Sequence, residues 1–369
     1  MSVFPHLLIR CRFLLSLALV LGGALVSTTA SADGNSSSST APTTSTLPRT
    51  STTLFGNVTS YPRRVGQTIA VPSQPDAIVR SRSNMWIASC GGDALTEISI
   101  VTKQIVNEIG NATYKFDCPD ALAFDGTNIW VANWRGNSLT EIDASTGALI
   151  RTISGSNIEA PISLAVVGTN LWVGNFPNTG VPASFAIINT VTGNSVKTLT
   201  QGQLGPHWTI EWPICMVAAG MDVWVADQGG VDVSEFNGRT GAYLRHTVAV
   251  SAGSLSNVGG VSYHSGLLWA SGSSNYDLVE YKASTGAYVR SVQHIDGPGQ
   301  LLFTGSDLFV ILTTPHYSVG EYNSSGRFIR TIVNTSIENG RGLSALAFDG
   351  RSLWVANYDA NSVSYYVSR

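Results

Sequence analysis

One short pattern recurs along almost the whole chain. An aromatic residue between apolar neighbours, usually followed by small residues, occurs seven times, as MWIASC, IWVANW, LWVGNF, VWVADQ, LWASGS, LFVILT and LWVANY. The aromatic anchors are Trp86, Trp130, Trp172, Trp224, Trp269, Phe309 and Trp354. Successive anchors are about 45 residues apart on average, which is the period of four-stranded propeller blades. The sequence therefore predicts an all-β fold, a seven-bladed β-propeller.

The copy around Trp130 shows how one repeat divides into strands. Three short apolar or alternating stretches, Ala121–Phe124, Ile129–Asn133 and Ser138–Asp143, are separated by turn residues. A fourth strand follows the turn that ends at Gly147, where glycine supplies the positive φ of a tight hairpin. We name the strands A to D in chain order, so that each repeat is a four-stranded meander.

Acidic residues of strand C are placed opposite arginines of strand D in several repeats. The pairs are Glu141/Arg151, Glu235/Arg245, Glu280/Arg290 and, across a turn one residue shorter, Glu321/Arg330. Opposite charges facing each other across a hairpin stabilise it by about 0.2 to 1 kcal/mol. Because the pairs recur from repeat to repeat, we interpret these carboxylates as structural and not as paired catalytic acids.

The two ends of the chain predict how the ring closes. The last repeat stops after strand C, at Ser362–Val367, whereas Gln67–Val71 matches a strand D without a repeat of its own. We expect the N-terminal strand to complete the C-terminal blade, since this pairing removes the open edges of an incomplete ring. The propeller then spans residues 61–369.

The first sixty residues differ from the repeats. Residues 1–32 combine Arg10 and Arg12, an apolar stretch from Phe13 to Val26 and small residues before position 33, which is typical of a signal peptide. An uncleaved anchor is the alternative, although the stretch is shorter than a membrane span. Residues 33–60 are rich in Ser and Thr and predict a disordered linker. We therefore expect a secreted or cell-surface protein.

Charge and motifs exclude several classes of function. The formal net charge is -3 and charged residues make up 12% of the chain, so no basic surface for nucleic acid is expected. We find no phosphate loop, no HExxH or EF-hand pattern and no zinc spacing of Cys and His. The sequence therefore predicts neither a metal site nor a cofactor.

Two segments, IWVANWRGNSLTEIDASTGALIRTI and LWVANYDANSVSYY, resemble the YVTN repeats of YncE-type and surface-layer propellers. The resemblance covers nearly all of the chain after the predicted linker. It implies the propeller fold, and it leaves the ligand open because propellers with different ligands share this repeat.

Residues that the repeat does not explain are the candidates for a site. In such a propeller the D-to-A and B-to-C loops lie on one face, which we name the loop face. The candidate ligand-binding residues there are Trp134, Arg135, His207, Trp208, Glu211, Trp212, His316, Tyr317 and Tyr358, with Phe176, Tyr276, Arg341 and Asp359 nearby. Aromatic rings with a few polar groups suit a glycan or a peptide.

Three cysteines follow the predicted signal peptide, namely Cys90, Cys118 and Cys215. Cys90 ends strand B of the first repeat and Cys118 begins strand A of the second, so both are expected on the loop face of neighbouring blades. We hypothesise a disulfide between them, with Cys215 as a buried free thiol.

These patterns favour a monomeric binding scaffold for a glycan or a protein ligand. One alternative is a propeller lyase or hydrolase that uses a divalent ion in the central channel, with His207, His316 and Glu211 as acid, base or ligand. A structural cell-envelope component that assembles through its blade edges is a third possibility.

Overall fold

The computed structural model describes residues 65–367 except for residues 111, 156, 179, 204–209, 229–232, 248–254, 256, 315–316 and 333–341. The predicted signal peptide and linker therefore lie outside the described residues, as do His207, Trp208, His316 and Arg341. Within the described part, no helix is long and apolar enough to cross a membrane. A 3-10 helix, Gln201–Gln203, interrupts the strands.

The described strands form seven antiparallel sheets of four, which confirms the predicted propeller. Blades 1 to 4 consist of β2 (Pro75–Ser81), β3 (Asn84–Ser89), β4 (Ala94–Ser99) and β5 (Ile105–Ile109); β6 (Pro119–Phe124), β7 (Asn128–Asn133), β8 (Ser138–Asp143) and β9 (Leu149–Ser154); β10 (Pro161–Val167), β11 (Asn170–Asn175), β12 (Ser184–Asn189) and β13 (Ser195–Thr200); and β14 (Pro213–Ala219), β15 (Asp222–Asp227), β16 (Val233–Asn237) and β17 (Tyr243–His246). Blades 5 to 7 consist of β18 (Val258–His264), β19 (Leu267–Gly272), β20 (Asp277–Lys282) and β21 (Ala287–Val292); β22 (Pro298–Phe303), β23 (Asp307–Leu312), β24 (Ser318–Asn323) and β25 (Phe328–Ile332); and β26 (Leu343–Phe348), β27 (Ser352–Asn357) and β28 (Ser362–Val367), completed by β1 (Val65–Ala70).

The N-terminal strand closes the ring as predicted. Strand β1 pairs antiparallel with β28, with Thr68 opposite Ser364 and Ala70 opposite Ser362. The pairing continues one residue further, because the Val71 N–H donates to the Asn361 carbonyl at 3.0 Å. The strand begins at Val65, two residues before the predicted Gln67. The outer edge of the last blade is thus supplied by the opposite end of the chain.

The aromatic anchors form the core between neighbouring blades. Trp172 of blade 3 is fully buried and packs with Val225 and Phe236 of blade 4. The contact continues across the closure of the ring, where Trp354 of blade 7 packs with Met85 of blade 1. Since a buried indole removes about 150–250 Å² from water, these anchors fix each blade against the next.

The predicted carboxylate–arginine pairs are confirmed, and they also connect blades. Glu141 faces Arg151 in the hairpin of blade 2, with Nε and Oε2 2.6 Å apart. The same Arg151 donates from Nη2 to the Val191 carbonyl in the C-to-D turn of blade 3, at 3.1 Å. Equivalent ion pairs join Glu235 to Arg245, Glu280 to Arg290 and Glu321 to Arg330. Arg245 and Arg290 likewise donate to the Ser284 and Ser325 carbonyls of the following blades. In blades 2, 4 and 5 the arginine therefore holds the outer strand to its own blade and to the next one.

Candidate functional site

The loop face surrounds one end of the central channel, and every strand A begins there with an irregular register. In blades 1 and 2 the ladder shifts between Pro75 and Ala77 and between Pro119 and Ala121. The remaining five strands A show the same kind of shift. A β-bulge re-aims the side chain of its extra residue. The bulges thus determine which side chains line the channel.

A cavity of about 170 Å³ lies in the channel. Its polar lining includes Asp76, Asp120, Ser163, Gln300 and Ser344. Asp76 and Asp120 occupy the same bulged position in neighbouring blades, and each is 7% exposed. Two buried carboxyl groups therefore lie on one side of the channel.

The long loop before β14 is held by hydrogen bonds to its backbone. Asp227, the last residue of strand B in blade 4, accepts the N–H of Trp212 at Oδ1 (2.6 Å) and the N–H of Glu211 at Oδ2 (2.9 Å). Further back in the loop, the Ile210 N–H donates to Gln201 Oε1 at 2.6 Å. These bonds fix the backbone of Glu211 and Trp212. The Glu211 side chain is exposed, and the Trp212 ring is half-buried.

Trp212 contacts an aromatic residue of the preceding blade. The rings of Trp212 and Phe176 have centroids 6.1 Å apart and planes inclined by 35°. Phe176 follows strand B of blade 3, and its N–H donates to the Ala160 carbonyl at 3.0 Å. Ring pairs at this separation attract each other beyond simple burial of apolar area. Trp212 and Phe176, from two loops of neighbouring blades, therefore form one half-exposed aromatic surface. Glu211 directly precedes Trp212 in the sequence.

A second aromatic position lies in the B-to-C loop of blade 2. The Trp134 N–H donates to the Cys118 carbonyl at 2.9 Å, and the Arg135 guanidinium carbon lies 5.8 Å from the centroid of the Trp134 ring. This separation is typical of a cation–π contact. Trp134 thus has a cationic partner from its own loop.

The two candidate tyrosines are placed differently from the tryptophans. Tyr358 is 3% exposed, and its N–H donates to the Gly342 carbonyl at 2.9 Å. Tyr317 is half-buried and packs on the apolar core that includes Phe309 and Val355. Tyr358 therefore lies beneath the loop face, where its ring contributes to packing rather than to an accessible surface.

The polar residue that ends strand B in blades 2, 3, 4 and 7 makes side-chain hydrogen bonds. Asp227 accepts loop N–H groups, and Asn175 Oδ1 accepts the Glu159 N–H at 3.2 Å. Asn133 and Asn357 donate to serine hydroxyls of the adjacent strand C. All four side chains thus stabilise the ends of strands.

A disulfide joins Cys90 of blade 1 to Cys118 of blade 2, so the loop face carries a covalent link between neighbouring blades. Cys215 is a free thiol that lines the channel cavity, and its Sγ lies 3.8 Å from the Val261 carbonyl. Sequence reasoning missed the channel carboxylates Asp76 and Asp120. The repeated Pro-Asp dipeptides at Pro75 and Pro119 are the signal that singles out their position.

Among the residues that the structure describes, no group of three or more His, Cys, Asp or Glu side chains is arranged to hold a metal ion. Two of the three residues of the predicted acid–base set, His207 and His316, lie outside the described residues. Their convergence with Glu211 therefore stays a prediction.

Solved structures of other proteins share the propeller fold. No family model and no curated protein matches the chain. The virginiamycin B lyase of Staphylococcus aureus is similar in structure, with a TM-score of 0.65 and 13% identity over 82% of this chain and 99% of that one. A chain of the mitotic checkpoint complex gives a TM-score of 0.65 and 14% identity over 83% of this chain and 92% of that one. BamB of Moraxella catarrhalis gives 0.52 and 16% identity over 79% and 84%. At these identities the similarity establishes the propeller fold alone.

Proposed function

We propose that this chain is a secreted or cell-surface binding protein that holds a peptide or glycan ligand on its loop face. The observation that carries the proposal is the Trp212–Phe176 ring pair, which is half-exposed and lies across two blades. Aromatic rings supply most of the contact energy in many ligand sites, and neighbouring polar groups fix the orientation of the ligand.

Preorganisation of the loop supports a binding role. Asp227 holds the backbone of Glu211 and Trp212 through two hydrogen bonds, so the exposed side chains start from a fixed backbone. A ligand then loses less free energy to the ordering of the loop on binding. Loops longer than the fold needs, such as Gln201–Pro213, also carry function more often than short connections.

The resemblance to YVTN repeats of surface-layer propellers and the N-terminal pattern support an extracellular location. The carboxylates of strand C support a binding protein over a hydrolase, because arginines pair with Glu141, Glu235, Glu280 and Glu321 within the blades. The structural neighbour in the mitotic checkpoint complex is a propeller found in a protein assembly, which is in keeping with a protein or peptide ligand.

The test is a screen of the purified mature chain against glycan and peptide arrays. Trp212→Ala is the site variant and Val191→Ala is the matched control, because Val191 is an exposed apolar residue in a C-to-D turn on the opposite face. We expect hits that Trp212→Ala loses and that Val191→Ala keeps. Hits that are equally strong with both variants would contradict a site at Trp212.

A further inference from the structure

The two faces of the ring differ in charge. Carboxylates on the surface of the loop face are Asp93, Asp117, Glu159, Glu211, Asp296 and Asp359. Among the described residues of the same loops, the Lys and Arg side chains are those of Lys115 and Arg135. The described part of the loop face is therefore acidic.

The opposite face, made of the A-to-B and C-to-D turns, is close to neutral. Its bases are Arg82, Lys103, Arg239, Lys282, Arg327 and Arg351. Its acids are Asp125, Asp143, Asp222, Asp307 and Asp349. The described loop-face residues comprise six acids and two bases, whereas the opposite face has five acids and six bases, so the excess of acid lies on the face that surrounds the channel. A one-sided field of this kind attracts cations and repels anions.

The two aromatic positions of the loop face differ in a way that indicates what a ligand supplies. Trp134 has the Arg135 guanidinium over its ring, so its cation is provided by the chain itself. Trp212 follows Glu211 instead, and its ring contacts Phe176. A cation supplied by a ligand can lie against the half-exposed Trp212 ring, and the exposed carboxylate of Glu211, the preceding residue, adds a negative charge to the same loop. Arg suits such a position because its planar group stacks on rings and bonds to carboxylates.

We propose that the ligand of the loop face is a basic polypeptide segment, with an Arg or Lys side chain held by Trp212 and Glu211. This inference rests on the binding function proposed above. The surface carboxylates come from loops of blades 1, 2, 3, 4, 6 and 7, so they match positive charges spread along a chain rather than one small cation.

The test measures binding of a fluorescent decapeptide of alternating Arg and Gly by anisotropy. Decapeptides with Gln or Glu in place of Arg, and spermine as a small polycation, are the matched ligands. The variants are Trp212→Ala, Glu211→Gln and, on the opposite face, Asp222→Asn. Glu211→Gln keeps the N–H that bonds to Asp227, so it tests charge with the loop backbone intact, and thermal melting confirms that every variant folds.

We expect the Arg peptide to bind about tenfold more tightly than the Gln peptide, since each cation–π or ionic contact is worth roughly that factor when partly desolvated. Trp212→Ala and Glu211→Gln should each weaken it severalfold, and Asp222→Asn should leave it unchanged. Raising the NaCl concentration from about 50 to about 200 mM should weaken binding through screening.

Equal binding of the Arg and Gln peptides would overturn the inference. The same holds if the Arg peptide binds both site variants as tightly as the wild type, or if spermine binds as tightly as the Arg peptide. A glycan or neutral peptide that binds and is lost in Trp212→Ala would overturn the basic ligand while supporting the proposed binding function. If no ligand in the arrays or in this series depends on Trp212, both proposals fail.

Discussion

Lys103 and Asp349 form an ion pair, with 3.0 Å between Nζ and Oδ2, that joins the first blade to the last. Lys103 comes from the C-to-D turn of blade 1, and Asp349 from the A-to-B turn of blade 7. The ammonium also lies 4.5 Å from the centroid of Trp354 and 4.8 Å from that of Tyr365. At the closure of the ring, where blade 7 takes its outer strand from the N-terminus, this cluster therefore adds an ionic link to the strand pairing.

The backbone of Lys103 is unusual for a residue with a side chain. Its φ is 59°, whereas the equivalent turns of blades 2 to 6 have glycine with positive φ, at Gly147, Gly193, Gly241, Gly286 and Gly326. A left-handed conformation costs a non-glycine residue about 1–2 kcal/mol. The contacts of the ammonium with Asp349 and the two rings offset this cost.

Replacing Lys103 by Met should therefore destabilise the ring. The variant keeps the length of the side chain and removes the charge, so the Asp349 carboxylate, 1% exposed, loses its cation. We expect the free energy of unfolding to fall by about 2 kcal/mol, below the value for a fully buried pair because Lys103 is 19% exposed. Urea unfolding measures it. Lys282→Met, at an exposed lysine of the same face, is the control. Equal losses in both variants would contradict a stabilising role of the Lys103–Asp349 ion pair.

The stability of the ring at acid pH should depend on the ionisation of Asp349. Burial acts to raise the pKa of Asp349, but hydrogen bonds from the Trp354 indole, the Ser352 N–H and Lys103 outweigh it, and the pKa lies below the ordinary value. A carboxyl group with a lowered folded pKa stabilises the fold above its unfolded pKa, near 3.9, and this contribution is lost as pH falls through the folded pKa.

Asp349→Asn should accordingly be less stable than the wild type at pH 7, by an amount that stays constant down to about pH 5 and shrinks below about pH 4. Urea unfolding at a series of pH values measures the difference. If the difference is the same at pH 3 as at pH 7, the stabilisation by Asp349 does not come from its charge.

The sequence predicts the blades well because their register follows from local spacing. A glutamate and an arginine on either side of a four- or five-residue turn face each other only in one register, and the anchors repeat at a fixed interval. The surroundings of Tyr358 and Asp76 could not be predicted in the same way. Tyr358 is buried, and its N–H bonds to the carbonyl of Gly342, the residue directly before β26. Asp76 reaches the channel because of a bulge. The Pro-Asp dipeptide marks this position, but it does not by itself specify a register shift.

Arg151→Met should show what the cross-strand arginines contribute. The Glu141 side chain is 0% exposed; burial raises the pKa of Glu141, and Arg151 acts against this increase. Without the guanidinium we expect a loss of about 2–3 kcal/mol at pH 7, discounted because Arg151 is 29% exposed. The pKa of Glu141 then rises further, so the loss should shrink as pH falls through that raised value.

Lys197→Met is the matched control for Arg151→Met, because Lys197 has the same strand position in blade 3 but faces Ile187. We expect it to change the free energy of unfolding by less than about 1 kcal/mol. The double variant Glu141→Gln/Arg151→Met should recover part of the loss, since no charge stays buried. A double variant as unstable as Arg151→Met would show that packing of the arginine, rather than its charge, is what matters.

Removal of the disulfide should weaken the contact between blades 1 and 2. Cys90 and Cys118 are separated by 28 positions in the sequence, and closing a loop of this size stabilises a fold by about 3 kcal/mol in the chain-entropy model. Cys90→Ala/Cys118→Ala should lose about that amount in urea unfolding, and a reductant should destabilise the wild type but not the variant. Cys215→Ala, at the free thiol, should keep the response of the wild type to reductant.

Blade 1 offers the opposite experiment, in which an ion pair is added. Glu97 faces Asn107 where blades 2, 4, 5 and 6 have arginine. Burial raises the pKa of Glu97, while hydrogen bonds from Asn84 and Asn107 act against it. Asn107→Arg should lower this pKa and raise the free energy of unfolding at pH 7 by about 0.5–1 kcal/mol.

The decisive comparison for Asn107→Arg is a double-mutant cycle with Glu97→Gln. In blades 2, 4 and 5 the arginine also donates to a carbonyl of the next C-to-D turn, as Arg151 does to Val191, so an arginine at position 107 can stabilise the ring without Glu97. Only the part of the gain that disappears in the Glu97→Gln background belongs to the ion pair. We expect most of the gain to disappear. An equal gain in both backgrounds would assign the stabilising effect of these arginines to the contact between blades instead of the hairpin.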